Sequence, residues 1–276
     1  MTIAYQEYQP SPHLLPYVEN YWFQVFDGDS NEDSPLQTCL PLGMTQIIVH
    51  TECQECYAFF DNDWQKLPDA FFVGIYKDAV TWKTKGYSVC FGITLKPESL
   101  MHLFKVPVST LFNNYTDIDN FLNKKVNTLS QRLFGITDPT ELIRISESFL
   151  TERLKSVNAE RTYIDEATKM IRRAKGNISI EQLCKNLYVS ERQLQRSFKD
   201  MYGTTPKTYT RIIRFRNAYQ HVKLTQKDKL SWADISYDYG YSDQAHFIRD
   251  FKEFTGIAPS YIFDDSRQYR QLSVAL

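Results

Sequence analysis

Two groups of side chains in this sequence have types and spacings suited to chemistry. One group is polar and occurs twice: Arg192, Gln195 and Arg196, then Gln244, His246 and Arg249. Steps of three and four residues put Gln195 and Arg196 on the same side of a helix as Arg192, and a step of three does the same for His246 and Arg249. An arginine pairs well with guanine O6 and N7, and a glutamine with adenine N6 and N7. Both trios are therefore suited to base edges in double-stranded DNA. The second group is His50-x2-Cys53-x2-Cys56. A tetrahedral zinc site needs a fourth ligand, which Cys39 or Cys90 could supply. TECQEC (51–56) falls where a hairpin turn belongs, however, so these read as turn and core cysteines, with no metal and no cofactor. A redox pair is the alternative. No catalytic constellation occurs: there is no nucleotide-binding glycine loop, no HExxH and no GxSxG. Asp27, Asp29, Glu32 and Asp33 read as a solvated loop, and an enzyme is not expected.

The elements that carry the two trios have clear boundaries. Ser179 opens a short helix with Gln182 three residues on, the spacing of a capping box. Ser190 opens the next, with Leu194 and Phe198 inward and Gly203 at its exit. Pro206 starts a long helix, KTYTRIIRFRNAYQHVKLT, on which Arg211, Arg214 and Arg216 lie close together. Ser231 caps WADISYDYG, Gly240 turns the chain, and Asp243 opens QAHFIRDFKEFTG. The pattern Ser190-x3-Leu194-x3-Phe198-x4-Gly203-x2-Pro206 returns as Asp243-x3-Phe247-x3-Phe251-x4-Gly256-x2-Pro259, offset by 53 residues at every step. Each unit is a short helix, a tight turn and a second helix with one apolar face, which is the pattern of a helix-turn-helix. The connecting helix, about 17 residues at about 1.5 Å each, would set the two units about one DNA turn apart.

Charge follows the same division. The 276 residues carry a net charge of -1, but residues 1–159 hold 12 basic and 19 acidic side chains, and residues 160–276 hold 20 and 14. The halves are thus -7 and +6, and the basic half suits a polyanionic partner. Five cysteines, an odd number, show no disulfide spacing. The N-terminus lacks a signal-peptide pattern and no apolar run is long enough to span a membrane, so a soluble cytoplasmic protein is expected.

The first 130 residues read as strands. LQTCLPLGMTQIIVH (36–50), CYAFF (56–60), DAFFVGIY (69–76), AVTWKT (79–84) and YSVCFGITL (87–95) are short, rich in β-branched and aromatic residues, and punctuated by turn formers. Such spacing predicts a barrel or sandwich. Helices follow over 97–106 and 139–155. Among the aromatics, Tyr76 and Trp82 are the candidates to line an effector pocket, each offering apolar contact with a polar handle.

The core ISYDYGYSDQAHFIRDFKEFTGIAPSY resembles the signature of AraC/XylS-type bacterial transcriptional regulators through Ile235, Gly240, Tyr241, Phe247, Arg249, Phe251, Lys252, Gly256, Pro259 and Tyr261. ISIEQLCKNLYVSERQLQRSFKDMYGTTPKTY resembles the same family's first helix-turn-helix through Leu183, Ser190, Leu194, Arg196, Phe198, Gly203 and Pro206. The resemblance covers about residues 160–262. It implies base contacts at Arg192, Gln195, Arg196, Gln244, Ala245, His246 and Arg249. Phosphate contacts are expected at Ser190, Arg211, Arg214, Arg216 and Lys252. Two departures stand out: Ser236 where the family usually has Ala, and Tyr188 where a turn glycine is common, a strained choice if φ is positive there. LPLGMTQIIVH, FFVGIY and VCFGITLKPESLMHLFKVPVSTLFNNYTDI resemble more faintly the barrel domain of some members, which senses a small molecule, mediates dimerisation, or both.

The expected architecture is α+β. A mostly-β, barrel-like sensory or oligomerisation domain occupies 1–130, and a helical linker 131–159. An all-α DNA-binding domain with two helix-turn-helix units joined by a long helix occupies 160–263, followed by a polar tail at 264–276. The expected function is sequence-specific transcription regulation, with activation favoured because the family more often activates. The partners are double-stranded DNA, RNA polymerase, a small-molecule effector and a second copy in a homodimer, with no membrane. Two alternatives stand beside it: an effector-independent regulator whose first domain only oligomerises, and an enzyme fused to a DNA-binding domain.

Overall fold

The computed structural model describes residues 2–118, 127–156 and 162–263. The expected tail at 264–276 and part of the boundary near 155–160 lie outside them. Among the described residues, eight strands form one antiparallel sheet: β1 (Thr2–Tyr8), β2 (Val18–Asp27), β3 (Gln37–Cys39), β4 (Thr45–Phe60), β5 (Asp63–Lys66), β6 (Ala70–Val73), β7 (Val80–Leu95) and β8 (Tyr115–Asp117). Helices α1 (Pro97–Phe104), α2 (Asn127–Leu133) and α3 (Pro139–Ser156) accompany it, with a 3-10 turn over Val108–Leu111. The helical part follows as α4 (Tyr163–Arg173), α5 (Ile180–Leu187), α6 (Glu191–Tyr202), α7 (Pro206–Leu224), α8 (Trp232–Asp238) and α9 (Gln244–Thr255).

The α+β expectation holds, but the barrel does not form. The sheet runs in the order β1-β2-β7-β4-β6-β8 and is open: β1 pairs with β2, β8 with β6, and the two ends do not meet. A barrel requires the last strand to bond to the first. DAFFVGIY (69–76) does hold a short strand of its own, β6, but the other four segments fall wholly or partly in two strands of 16 residues, β4 and β7, paired along most of their length. TECQEC is not a hairpin turn but the middle of β4. Register shifts between His50 and Glu52, and between Cys53 and Glu55, interrupt its pairing there. Bulges of this kind bend a strand and increase its twist. β3 and β5 bond to the far portions of β7 and β4, so the sheet branches and curls without closing.

Period-two alternation divides the sheet into two apolar faces. Tyr21, Ile47, Val49, Phe91 and Ile93 point into the main core, where Leu100, Leu103 and Phe104 of α1 and Phe149 and Leu150 of α3 meet them. That core continues without a break through Val108 and Leu111 into the helical part, to Phe198, Tyr202, Tyr209 and Ile213. Trp22, Gln46, Ile48, His50 and Cys90 point the opposite way and line a cavity. Gly92 lies beneath the Trp22 indole, and a Cβ there would sit 1.9 Å from the ring. Only glycine permits so close an approach.

Candidate nucleic-acid interface and sheet cavity

Each helix-turn-helix unit is built by its caps. The Ser179 hydroxyl accepts from the Gln182 amide at 3.1 Å, and the Gln182 side chain returns the bond to Ser179 N–H at 2.9 Å, completing the box at the start of α5. Ser190 caps α6 through Gln193 N–H, and Thr205 caps α7 through Thr208 N–H. Ser231 caps α8 through Asp234 N–H, and Asp243 caps α9 through His246 N–H at 2.7 Å. Gly203 and Gly256 end α6 and α9 in matching left-handed conformations, φ 71° and 76°. Leu194 and Phe198 of α6, and Phe247 and Phe251 of α9, are fully buried. Fully burying such side chains is worth about 1.5–3 kcal/mol each, which fixes the face that each helix leaves outside.

The two turns differ in chemistry. Tyr188 closes α5 at φ 55°, ψ 41°, so the position does require the left-handed region, and the tyrosine ring projects into solvent at 95% exposure. Gly240 holds the corresponding place after α8 at φ 69°. The second turn has one more residue than the first, so the 53-residue offset between recognition helices is 52 at the turn.

On the outer face of α6, Arg192, Gln195 and Arg196 are all exposed, beside exposed Ser190. Gln195 also donates to Glu191 one turn earlier at 2.9 Å. On α9, Gln244, Ala245, Arg249 and Lys252 are exposed, while His246 is half-buried. Among the described residues, Arg192, Arg196, Arg249 and Lys252 enter no ion pair. His246 is more constrained. Its Nδ1 lies 3.2 Å from the Ser242 hydroxyl, its ring meets Tyr241 edge to face, and its Nε2 stands 3.9 Å from Asp250.

The three arginines of α7 are engaged inside the molecule. Arg211 donates to Asp250 at 2.8 Å and Glu253 at 2.7 Å, pinning α9 to α7, and covers the Phe254 ring. Arg214 donates twice to the Gly176 carbonyl and lies over Tyr241. Arg216 is buried and donates to Glu19 of β2 at 2.6 Å. Ser190 at the start of α6 and Lys252 on α9 are thus exposed, Arg211 and Arg214 are partly accessible, and Arg216 is turned away from solvent. Asp250 and Glu253, which organise the second unit, were not singled out by sequence reading. Residues 39 and 42 positions from Arg211 leave no local pattern linking them to it.

The cavity on the second face of the sheet has a volume of about 70 Å³. Tyr76 and Trp82, the expected pair, both line it, and so do Trp22, Phe60, Phe71 and Tyr115. Among the described residues, no Lys, Arg, Asp or Glu does. Its titratable groups are held neutral: burial pulls the His50 imidazole down to about 4, pushes the Cys39 thiol up to about 11, and raises Cys56 and Cys90 well above the usual thiol range. A neutral thiol is a poor nucleophile and a poor metal ligand. Among the described residues, no group of three or more His, Cys, Asp or Glu side chains could hold a metal ion, and no helix is long and apolar enough to cross a membrane.

Comparison with known proteins covers both parts. Residues 183–264 match the family description of a helix-turn-helix domain, and residues 6–117 match a domain of unknown function. The Msm operon regulatory protein of Streptococcus mutans is 26% identical over 154 residues, 55% of this chain and 54% of that protein. The HTH-type transcriptional activator RhaS of Mannheimia succiniciproducens is 32% identical over 99 residues, 34% of this chain and 36% of that protein. The chain therefore spans about half, or less, of the length of these curated relatives. The solved structure of ToxT from Vibrio cholerae overlays with a TM-score of 0.48 at 13% identity, covering 88% of this chain and 97% of that one.

Proposed function

We propose that the chain is an AraC/XylS-type bacterial transcriptional regulator, that it reads specific sites in double-stranded DNA through α6 and α9, and that it activates transcription in response to a small molecule held by the sheet. The observation that carries this reading is the duplicated outer face. Two helices with caps and buried anchors at matching positions each leave arginine and glutamine outside, the arginines entering no ion pair among the described residues. Base reading is assigned to Arg192, Gln195 and Arg196, and to Gln244, Ala245 and Arg249, with His246 at the edge of that face. Ser190 and Lys252 are assigned to phosphate, with Arg211 and Arg214 available only if they leave their internal partners. Arg216, buried against Glu19, is assigned no phosphate contact. Residues 160–263 form the DNA-reading unit in this proposal, with RNA polymerase and a second copy as its protein partners.

The open sheet has a cavity, which favours sensing over a purely oligomerising role. Its lining commits the effector to a class: a small, uncharged, apolar or aromatic molecule. A carboxylate or ammonium would enter without a counter-charge, at a cost of several kcal/mol.

Fluorescence anisotropy with genomic fragments at stated salt tests the DNA reading. Arg249→Ala should weaken binding to a selected site by about 1–3 kcal/mol and relax preference at one base pair. Lys252→Ala should weaken all sequences alike and flatten the salt dependence. Unchanged affinity and preference in Arg249→Ala would overturn the assignment. For the sensor, calorimetry with indole and with indole-3-acetate should show binding of the neutral compound alone. Binding of the charged one would refute the proposed class.

A further inference from the structure

Trp22 of β2 lines the cavity, and a carboxylate that grips the helical part lies near one end of β2 and another just past the end of β7, the strand paired with it. On β2, Glu19 lies three residues before Trp22. On β7, Gly92 lies under Trp22 and the strand ends at Leu95, three residues before Glu98 in the first turn of α1. Glu19 accepts from Arg216 of α7 at 2.6 Å, and Glu98 pairs with Arg172 of α4 through both carboxylate oxygens. Arg172 also donates to the Tyr209 hydroxyl of α7 at 3.2 Å, so the Glu98 grip reaches both helices.

The β2–β7 register explains how Glu19 comes to face away from the sheet. Val18 pairs with Leu95 and Asn20 with Thr94, so Glu19 is the extra residue of a bulge. A bulge re-aims the side chain it carries. Here it presents a carboxylate to an arginine 197 residues later. Burial alone would raise the Glu19 carboxyl, but the Arg216 guanidinium beside it holds it below the usual carboxylate range. His102 of α1 adds a third crossing contact, its Nε2 3.1 Å from Asp165 of α4.

We propose that β2 and β7 form the route by which the cavity controls the first helix-turn-helix unit, with Trp22 on Gly92 as the input and the Glu19–Arg216 and Glu98–Arg172 pairs as the output. This rests on the reading of the cavity as the effector site. Trp22 is held at the input by its indole N–H, which donates to Gln46 at 3.2 Å. With Gly92 beneath it at the limit of approach, an occupant that displaces the ring loads both strands at once. Their ends shift Glu19 and Glu98, and with them α7 and α4, which frame α6 and its Arg192, Gln195 and Arg196.

Hydrogen–deuterium exchange on the full chain tests the route without a ligand. Trp22→Phe perturbs the input, and Gln46→Leu, which frees the indole N–H and keeps the ring, is the second perturbation should the first fail to fold. Amides in α4 (163–173) and α7 (206–224) should exchange at least about fivefold faster, the lower end of typical coupling between sites. In a Glu19→Gln/Glu98→Gln background, the same perturbation should leave those helices unchanged, because the connection is already cut. Acceleration confined to the strands, or effects that simply add, would overturn the route. Indole calorimetry on the same proteins separates the two ideas. Indole failing to bind while Trp22→Phe still reaches α4 and α7 removes the effector reading and keeps the route. Indole binding while the perturbation stops within the sheet keeps that reading and removes the route.

Discussion

Exchanging the chemistry of the two turns gives a test with a calculable size. Tyr188 sits at φ 55°, ψ 41° with its side chain 95% exposed, so it bears left-handed strain with almost no packing in return. That strain costs a non-glycine residue about 1–2 kcal/mol. Glycine in its place removes the strain but adds unfolded-state freedom worth about 0.4–1 kcal/mol. Tyr188→Gly should therefore stabilise the protein by about 0.5–1 kcal/mol. With an m-value of about 3 kcal/mol/M in urea, the midpoint rises by about 0.2–0.3 M. Gly240→Ala is the reverse experiment. At φ 69° its Cβ would lie 2.3 Å from the Asn177 Oδ1, but Asn177 is exposed and can turn aside, leaving a backbone cost of about 1–2 kcal/mol. Urea unfolding of both variants, followed by circular dichroism, reads the pair. A lower midpoint for Tyr188→Gly would refute the reasoning, since the ring would then be contributing more than the strain it imposes.

Further tests concern the cavity and the second unit. His50 is neutral when folded, with its imidazole held near 4 by burial, whereas the unfolded chain binds a proton below about pH 6.5. Its contribution is present above pH 6.5 and lost as the pH falls towards 4, by up to about 3 kcal/mol. In a pH series of urea midpoints, His50→Phe should show a shallower decline over that window than the parent; equal slopes would contradict the assignment. Asp250→Ala leaves Arg211 with Glu253 alone and should cost about 1–3 kcal/mol, with strong non-additivity to Arg211→Ala in a double-mutant cycle. Ser190→Ala, which removes the cap of α6, should cost about 1 kcal/mol in the same assay.

Local rules made the helical half legible. Caps, glycine exits and the 53-residue pattern depend on residues within a few positions of one another, and Ser179, Ser190, Ser231 and Asp243 cap the helices expected of them. The sheet was less legible because its defining features are non-local. Glu52, Cys53 and Glu55 look like a turn by composition, yet pairing with Val89, Ser88 and Lys85 keeps them in a strand with bulges. Closure depends on whether β1 meets β8, which no pattern within either strand reports. Exposed positions such as Arg192 and Arg249 could be read from helical period alone. Arg216 could not, because its placement is decided by Glu19, a bulged residue on β2.

In the proposed function the duplicated units read DNA as two separate modules. Selection from random duplexes, sequenced for the parent protein, Arg196→Ala and Arg249→Ala, tests it most directly. The expected result is a bipartite site whose two segments lie about one helical turn apart, with each variant relaxing a different segment. A single undivided site, or the same positions relaxed by both variants, would contradict it.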